Sequence, residues 1–489
     1  MNRTLGLTAA TCVALGAIHV TTSWWLGQHI EQEHQRQLER VLAVLGPDKL
    51  VSNTYERGLF SSTATLVLQL KEPPRPSSSP DADDRVIRLH LTQDLQHGPW
   101  AGGRLAAAAV QTQLLRVEGL DETAYDVFAG VKPPVLNTVH GFNRAVTGQL
   151  KLPAGEIKDP SDPSGKNRIH WDVLRHDFDI DAARTRIRSQ AQWPLLAVSI
   201  GENSSSGHLQ MRLTGFESRS EQQLNGGQWL MPPGQQEGTL SRLEIKLRNT
   251  SSDTPDLDVQ LYDMRMDSRT RQTDAVLGTK QHVSGKAKIG PLSFENLSIE
   301  AELQRIDARV LAELQHMMIT AFKATASSDE APKAPDFEQI VNRLLAASPE
   351  LKERLSLTMG GETASFGYGL KIDPSISASA DDMPAAMAWA ERLKVDASMT
   401  VPRSLVKAIA DLVNHPEMPA DTAMTLADMV AAQGYLKRTD TGWTTEAALV
   451  KGSLTVNGKP IFDNYGIGLL SQDAVANDAL DEQEAPGVE

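Results

Sequence analysis

Three groups of side chains have the types and spacing to do chemistry. Asp177, Asp179 and Asp181 alternate in a stretch of period two, which places them on one strand face roughly 7 Å apart, where carboxylate oxygens can gather around a hard cation such as calcium. Asp159, Asp162 and Asn167 surround Gly165 in an oxygen-rich loop, although their spacing fits no established calcium loop and lacks a closing glutamate. His170 and His176 flank Trp171 and Asp172. Brought together across a bend, they would serve as metal ligands, or as a base with a carboxylate partner in a hydrolase. Each group also has a plainer reading: a solvated strand face, a surface turn, and partly exposed strand histidines. Met317, Met318, Met424 and Met429 fit an adaptable apolar pocket, or ordinary helix core at helical spacing.

The motifs that usually carry mechanism are missing. There is no HExxH, no GxSxG, no glycine-rich phosphate loop ending in Lys-Ser/Thr and no dinucleotide fingerprint. Cys12 is the only cysteine, which removes disulfides, thiolate metal sites and a cysteine nucleophile from everything after it. The expectation is a protein without catalytic residues, metal or cofactor.

The elements that would position these residues are mostly strands. Leu66, Leu68 and Leu70 share one face, as do Ile87, Leu89, Leu91 and Leu95, and the stretch 240–248 reads LSRLEIKLR. The alternation returns at Leu297, Ile299, Ala301 and Leu303, and at Ala364, Phe366, Tyr368, Leu370 and Ile372. One-sided polarity belongs to antiparallel sheets. The apolar phase shifts between Ile169, Trp171, Val173 and Phe178, Ile180, which predicts a bulge near Val173–Arg175. It shifts again from Leu257, Val259, Leu261 to Tyr262, Met264, Met266, so the sheet is expected to curve. Helices come late: a stripe of Val310, Leu311, Leu314, Met317, Met318 and Phe322, another of Phe337, Ile340, Val341, Leu344 and Leu345, then a pair within 383–434 that Gly434 should close. Segments 72–84, 158–166 and 325–335 are rich in Pro, Ser and acids and read as loops.

At the amino end, residues 5–26 hold no Asp, Glu, Lys or Arg, enough to cross a hydrocarbon core of ~30 Å. Trp24 and Trp25 suit the far interface and Arg3 the near one. The rival reading is a cleaved signal peptide, with Ala14-Leu15-Gly16 as the small-residue site. His19 reads as tolerated near the outer interface, or as a partner contact. The expected division is a cytoplasmic tail at 1–4, a signal anchor at 5–26, a juxtamembrane helix at 27–46 ended by Gly46-Pro47, a β-rich body at 47–305, an α+β part at 306–465 and a disordered acidic tail at 466–489. The fold class is α+β: a long curved antiparallel meander with helices packed on it, preceded by one transmembrane helix.

With 489 residues the chain has room for two to four domains at roughly 100 to 200 residues each, or for one large extended one. Its net charge of −14 argues against a nucleic-acid partner, which needs a basic face.

Four short patterns in this order resemble one family. They are Tyr55-Glu-Arg-Gly58-Leu-Phe60-Ser61-Ser62 after the anchor, His97-Gly98-Pro99 ending a strand, Gly434-Tyr435-Leu436 after an apolar helix, and Gly452-Ser-Leu-Thr-Val-Asn457-Gly458-Lys459-Pro460. Together they look like the YdgA-like family of bacterial envelope proteins, a domain of unknown function. The resemblance covers about residues 5–465 and implies a single-pass inner-membrane protein with its body in the periplasm. It carries over no reaction. Physics assigns structural roles: Gly58 to a bulge or close strand approach, Tyr55 and Phe60 to the core, His97-Gly98-Pro99 to a strand stop, Asn457-Gly458 to a hairpin. The expected partners are the inner membrane, other envelope proteins or a second copy. The leading function is a scaffold or interaction module, the alternative is lipid binding or transfer on the apolar sheet face, and the third is an envelope hydrolase.

Overall fold

The computed structural model describes residues 2–71, 86–119, 131–159, 162, 166–201, 207–224, 230–248, 256–326, 337–373, 392–413, 419–450 and 452–462. The acidic tail expected at 466–489 lies outside the described residues, as does the loop at 72–84. The chain forms two compact units, Met1–Arg271 with Arg309–Glu338, and Gln272–Ala308 with Gln339–Glu489.

The first unit opens with one continuous helix, α1 (Asn2–Leu45), ended by Gly46 at φ 106°. The helix runs through residue 26, where the anchor was expected to pass into the juxtamembrane helix. Among the described residues no helix is long and apolar enough to cross a membrane. Among the described residues fifteen strands follow: β1 (Leu50–Arg57), β2 (Ser61–Lys71), β3 (Val86–His97), the short pair β4 (Trp100–Ala101) and β5 (Arg104–Leu105), β6 (Ala108–Glu118), β7 (Val135–His140), β8 (Val146–Leu152), β9 (Gly155–Lys158), β10 (Arg168–Trp171), β11 (Leu174–Ile180), β12 (Arg186–Ile200), β13 (His208–Gln223), β14 (Gly234–Arg248) and β15 (Leu257–Thr273). All the pairings described are antiparallel, running β1-β2-β3-β6-β7-β8-β11-β12-β13-β14-β15, with β10 between β9 and β12. Of the helices, α2 (Ala308–Ala326) belongs to this unit apart from its first residue.

Register explains the alternation seen in the sequence. One row across the sheet runs Leu152, Leu174, then on the same face Trp193, Phe216, Leu240 and Met264. Rows one residue away carry the charges and amides, Lys151 opposite Arg175 and Gln192 opposite Glu217 among them. Apolar side chains thus share one face and polar ones the other, as period two requires.

The two phase shifts have a common cause. No extra residue interrupts the pairing near Val173–Arg175: Trp171 faces Leu196 and Arg175 faces Gln192, four steps on both strands. Val173 lies level with Pro153 on one side and Pro194 on the other; Pro194 is level with Gly215, Gly215 with Ser241, and Ser241 with Asp263. Pairing is skipped at each of these steps, and Gly215 (φ 66°) and Asp263 (φ 52°) are left-handed. Each strand carries its own extra residue at the same level, so the apolar parity moves from Trp193 to Leu196 and from Met264 to Leu261 without any register slip. A crease across neighbouring strands replaces the isolated bulge expected from the sequence.

The second unit pairs β16 (Val276–Ile289), β17 (Leu292–Asp307), β18 (Glu350–Met359), β19 (Glu362–Ile372), β20 (Leu393–Pro402), β22 (Gly442–Val450), β23 (Ser453–Val456) and β24 (Lys459–Phe462) in that order, with β21 (Lys437–Arg438) also on β22. Here the irregularities are true bulges. Between Leu277 and Thr279, β17 uses one residue more than β16, at Arg305 (φ 61°). Among the described residues three helices belong largely to this unit: α3 (Phe337–Ala346), α4 (Arg403–Val413) and α5 (Ala420–Ala432). The Trp443 indole donates to Asp428 of α5 at 3.1 Å, and Arg403 of α4 lies over its ring at 5.5 Å.

Candidate functional site

The motif residues of the first unit meet under α1. A tight turn joins β1 to β2, closed by Gly58 N–H donating to Ser61 O at 2.8 Å; a Cβ on Gly58 would stand 2.8 Å from that oxygen. β3 ends at His97, and the cis bond Gly98–Pro99 follows. Gly98 has no room for a Cβ beside Ala106 O. His97 N–H donates to Phe60 O at 2.8 Å, and ring Nδ1 faces the Leu59 carbonyl at 3.3 Å. A carbonyl only accepts, so Nδ1 carries the proton and Nε2 accepts from the Ser62 hydroxyl at 2.8 Å. Ser62 is 3% exposed and His97 2%.

α1 closes over this pair with one stripe of side chains. His19 stacks on Phe60 with centroids 5.5 Å apart, the fully buried Ser23 hydroxyl donates to Gly98 O, and Gly27 lies where a Cβ would stand 2.8 Å from the His97 ring. Glu31 pairs with Arg57 at 3.2 Å, and His34 meets Tyr55 with centroids 5.3 Å apart. Positions 19, 23, 27 and 31 repeat every four residues and 34 follows three later, one helix face. His19 and Ser23, polar on one face of the apolar stretch, were the available signal for the contact, which the reading of His19 as tolerated near an interface does not use. Phe60, expected in the core, is 45% exposed and covers His19 instead.

Burial sets the electrostatics. It holds the His97 imidazole below its ordinary value, helped by the Arg57 charge and opposed by the Leu59 carbonyl. His34 is lowered by burial against the pull of Asn53 and Gln93, and His140 by burial and Arg184 against Glu33. Burial raises the Tyr55 phenol, which Ser62 partly offsets. A serine hydroxyl donating to a neutral imidazole is the contact a nucleophile needs. Here a helix covers it, a carbonyl stands where an orienting carboxylate would, and Ser62 Oγ has no open side. The pair is arranged as a buried lock.

The second unit's motif residues form another lock. Gly434 (φ 83°) ends α5, with its N–H on Ala431 O at 2.9 Å and that of Tyr435 on Val430 O at 3.2 Å, the double bond of a Schellman cap. Asn457 (φ 50°) and Gly458 (φ 79°) make the two-residue turn between β23 and β24. Asn457 Nδ2 donates to Tyr435 O at 2.9 Å, its Oδ1 accepts from Glu446 N at 3.1 Å, and Lys459 Nζ reaches Gln433 O at 2.7 Å. The hairpin tip thereby satisfies carbonyls at the helix end, where a cation is also favoured.

The other candidates do not assemble. His170 faces Ala197 and His176 faces Ala191, six residues apart along β12, which is roughly 20 Å at strand rise. Asp177 accepts from Gln149 Nε2 at 2.8 Å, and Asp181 caps a turn by accepting from Thr185 N at 2.7 Å and Arg186 N at 3.1 Å. Asp179 pairs in register with Thr147 and Arg188. In the oxygen-rich loop, Asp162 Oδ2 accepts from Lys166 N and Asn167 N at 2.8 and 2.7 Å; Gly165 lies outside the described residues. Among the described residues no three or more His, Cys, Asp or Glu are placed to hold a metal ion. Met318 and Met429 are exposed, while Met317 and Met424 are half-buried.

An uncharacterized protein of Haemophilus influenzae is 23% identical over 189 residues, 36% of this chain and 48% of that protein, so the match spans about half of the relative's length. No solved structure matches the chain. Residues 1–462 match a family described as bacterial protein of unknown function (DUF945), and the chain belongs to that family.

Proposed function

We propose that this is a non-catalytic bacterial envelope protein of the YdgA-like group, anchored in the inner membrane by the start of α1 and working in the periplasm as a scaffold or interaction module. The observation that carries this reading is the use to which the motif residues are put. Ser62, His97 and Gly98 fasten a helix to a sheet, and Gly434, Asn457 and Gly458 fasten a hairpin to a helix. Ser62 and His97 are buried, and Asn457, which with Gly458 lines an open concavity, has its amide engaged with Tyr435 O and Glu446 N, whereas catalytic groups need access to a reacting atom. Docking begins at His19, so the bilayer share of the uncharged stretch would be about residues 5–18, roughly 21 Å of helix. A body held this way would project from the membrane in one orientation.

The test pairs topology with capture. A reporter joined after residue 462 should be exported, and photo-crosslinking groups on the sheet in living cells should trap envelope proteins or a second copy. A cytosolic reporter, or a body that crosslinks to nothing, removes the reading.

One observation favours lipid handling as a second reading. Ile200, Leu209, Leu247 and Leu257 stand opposite one another at the ends of four neighbouring strands, each 37 to 50% exposed. Large aliphatic groups left half in water in a row suit an acyl chain. Phospholipid retained on gently purified protein, and lost on Leu209→Ser with Leu247→Ser, is the expected result; lipid-free protein ends this reading.

A further inference from the structure

The polar face of the first unit holds an open concavity of about 730 Å³ that the motif residues do not touch. Its lining follows the register. Asn137, Gln149, Asp177, Gln190, Arg219 and Glu237 stand opposite one another on six consecutive strands, β7, β8, β11, β12, β13 and β14. At about 4.8 Å between strands the row is roughly 24 Å long. A second row two residues away adds Asp179, Arg188, Glu221 and Gln235.

The chemistry of this trough is specific in what it excludes. Four carboxylates against two guanidiniums leave it net negative, so phosphate-rich and other anionic polymers are repelled. Of the lining side chains Val139 and Phe178 are the large apolar ones, too few to run the length of an acyl chain, although the stems of the polar side chains add apolar surface. What remains is a dense array of planar groups with paired donors or acceptors. Gln149 is bonded to Asp177, and Arg188 and Glu221 are paired at 3.2 Å. Among the described residues Asn137, Gln190, Arg219, Gln235 and Glu237 close no such side-chain bond in the concavity, so their amide, guanidinium and carboxylate edges face the open space. Adjacent hydroxyls on a sugar ring present a donor and acceptor side by side, the complement of an amide or carboxylate edge. A row of such edges repeating at strand spacing suits a chain of sugar units laid across the strands.

We propose that this trough is a binding site for an extended, uncharged glycan strand, with Gln190 and Arg219 at its centre. The site lies within one compact unit and does not depend on the scaffold reading.

The experiment is a titration of the purified full-length chain with chitotetraose and cellotetraose, followed by calorimetry and by protein NMR. Saturable binding to at least one sugar, weakened tenfold or more in Gln190→Ala with Arg219→Ala and partly restored by Arg219→Lys, supports the site. Gln235→Ala, at the row's edge, should weaken binding less, and the thermal midpoint of each variant reports whether it still folds. No saturable binding to either sugar, binding that the folded double variant leaves unchanged, or equal competition by a polyanion or a peptide would overturn it. Glycan binding without envelope crosslinks would remove the scaffold reading and leave this one standing.

Discussion

Ser62 and His97 are sealed beneath a helix, whereas Asn457 and Lys459 do their bonding at a surface hairpin, and the two gatherings of motif residues should fail in different ways. The first depends on close approach: a glycine on α1, a glycine after β3 and an imidazole with both nitrogens engaged, all in nearly complete exclusion of water. Removing one member leaves another polar group buried without a partner, which costs more than the bond itself is worth. The second depends on backbone conformation, with φ of 50°, 79° and 83° supplied by Asn and Gly, and water can replace any single lost bond. The lesson is that motif residues of similar type serve as an all-or-none closure in one unit and as a set of separable caps in the other.

The harshest way to break the contrast is Gly27→Leu. The new side chain meets the His97 ring, so the first unit should lose about 3 kcal/mol and the helix stretch 19–34 should exchange its amides much faster. Hydrogen exchange by mass spectrometry would show it, and unchanged protection over 19–34 would mean that α1 is not held there. Next in size is Asn457→Ala, which combines a left-handed residue with the loss of the Tyr435 and Glu446 contacts, for about 2 kcal/mol. Asn457→Gly should recover about half of that, since glycine restores the conformation but not the amide.

Acid sharpens the comparison. The folded chain holds His97 below its ordinary value of 6.5, so the unfolded chain binds more protons as pH falls past that value. Stability from the buried imidazole is full above pH 6.5 and declines as pH drops through it toward the lowered folded value. His34 and His140 act in the same direction. Protection at 19–34 should therefore fall between pH 7 and 5 while that of β22–β24, whose turn contains no histidine, stays level; His97→Gln should flatten the first trend. The smallest effect belongs to Lys459→Met, which removes one exposed bond to Gln433 O and should cost about 0.5 kcal/mol or less in a thermal melt.

Much of the sheet was legible because its strands obey simple alternation. The apolar stretches at Leu66–Leu70, Leu89–Leu95 and Phe366–Ile372 fall inside β2, β3 and β19, and Asn457-Gly458 and Gly434 announce a turn and a helix end through conformations few other residues adopt. The lock under α1 was legible only as fragments. Ser62 and His97 are 35 residues apart and Ser23 and Gly98 are 75 apart, with no local pattern to link them. The uncharged run at 5–26 overlaps the stripe that docks, and a window average of hydropathy does not separate a lipid-facing helix from one lying on a sheet.

The crease marks the division most clearly. Chain chemistry alone determines that each strand alternates, that the phase slips near Val173 and again near Tyr262, and that the chain holds only one cysteine, because these depend on neighbours in sequence. Tertiary structure decided that Pro194, Gly215, Ser241 and Asp263 stand level with one another. An extra residue in one strand forces a bulge, whereas extra residues aligned across neighbours cancel in the register, and only pairing between distant segments tells the two apart.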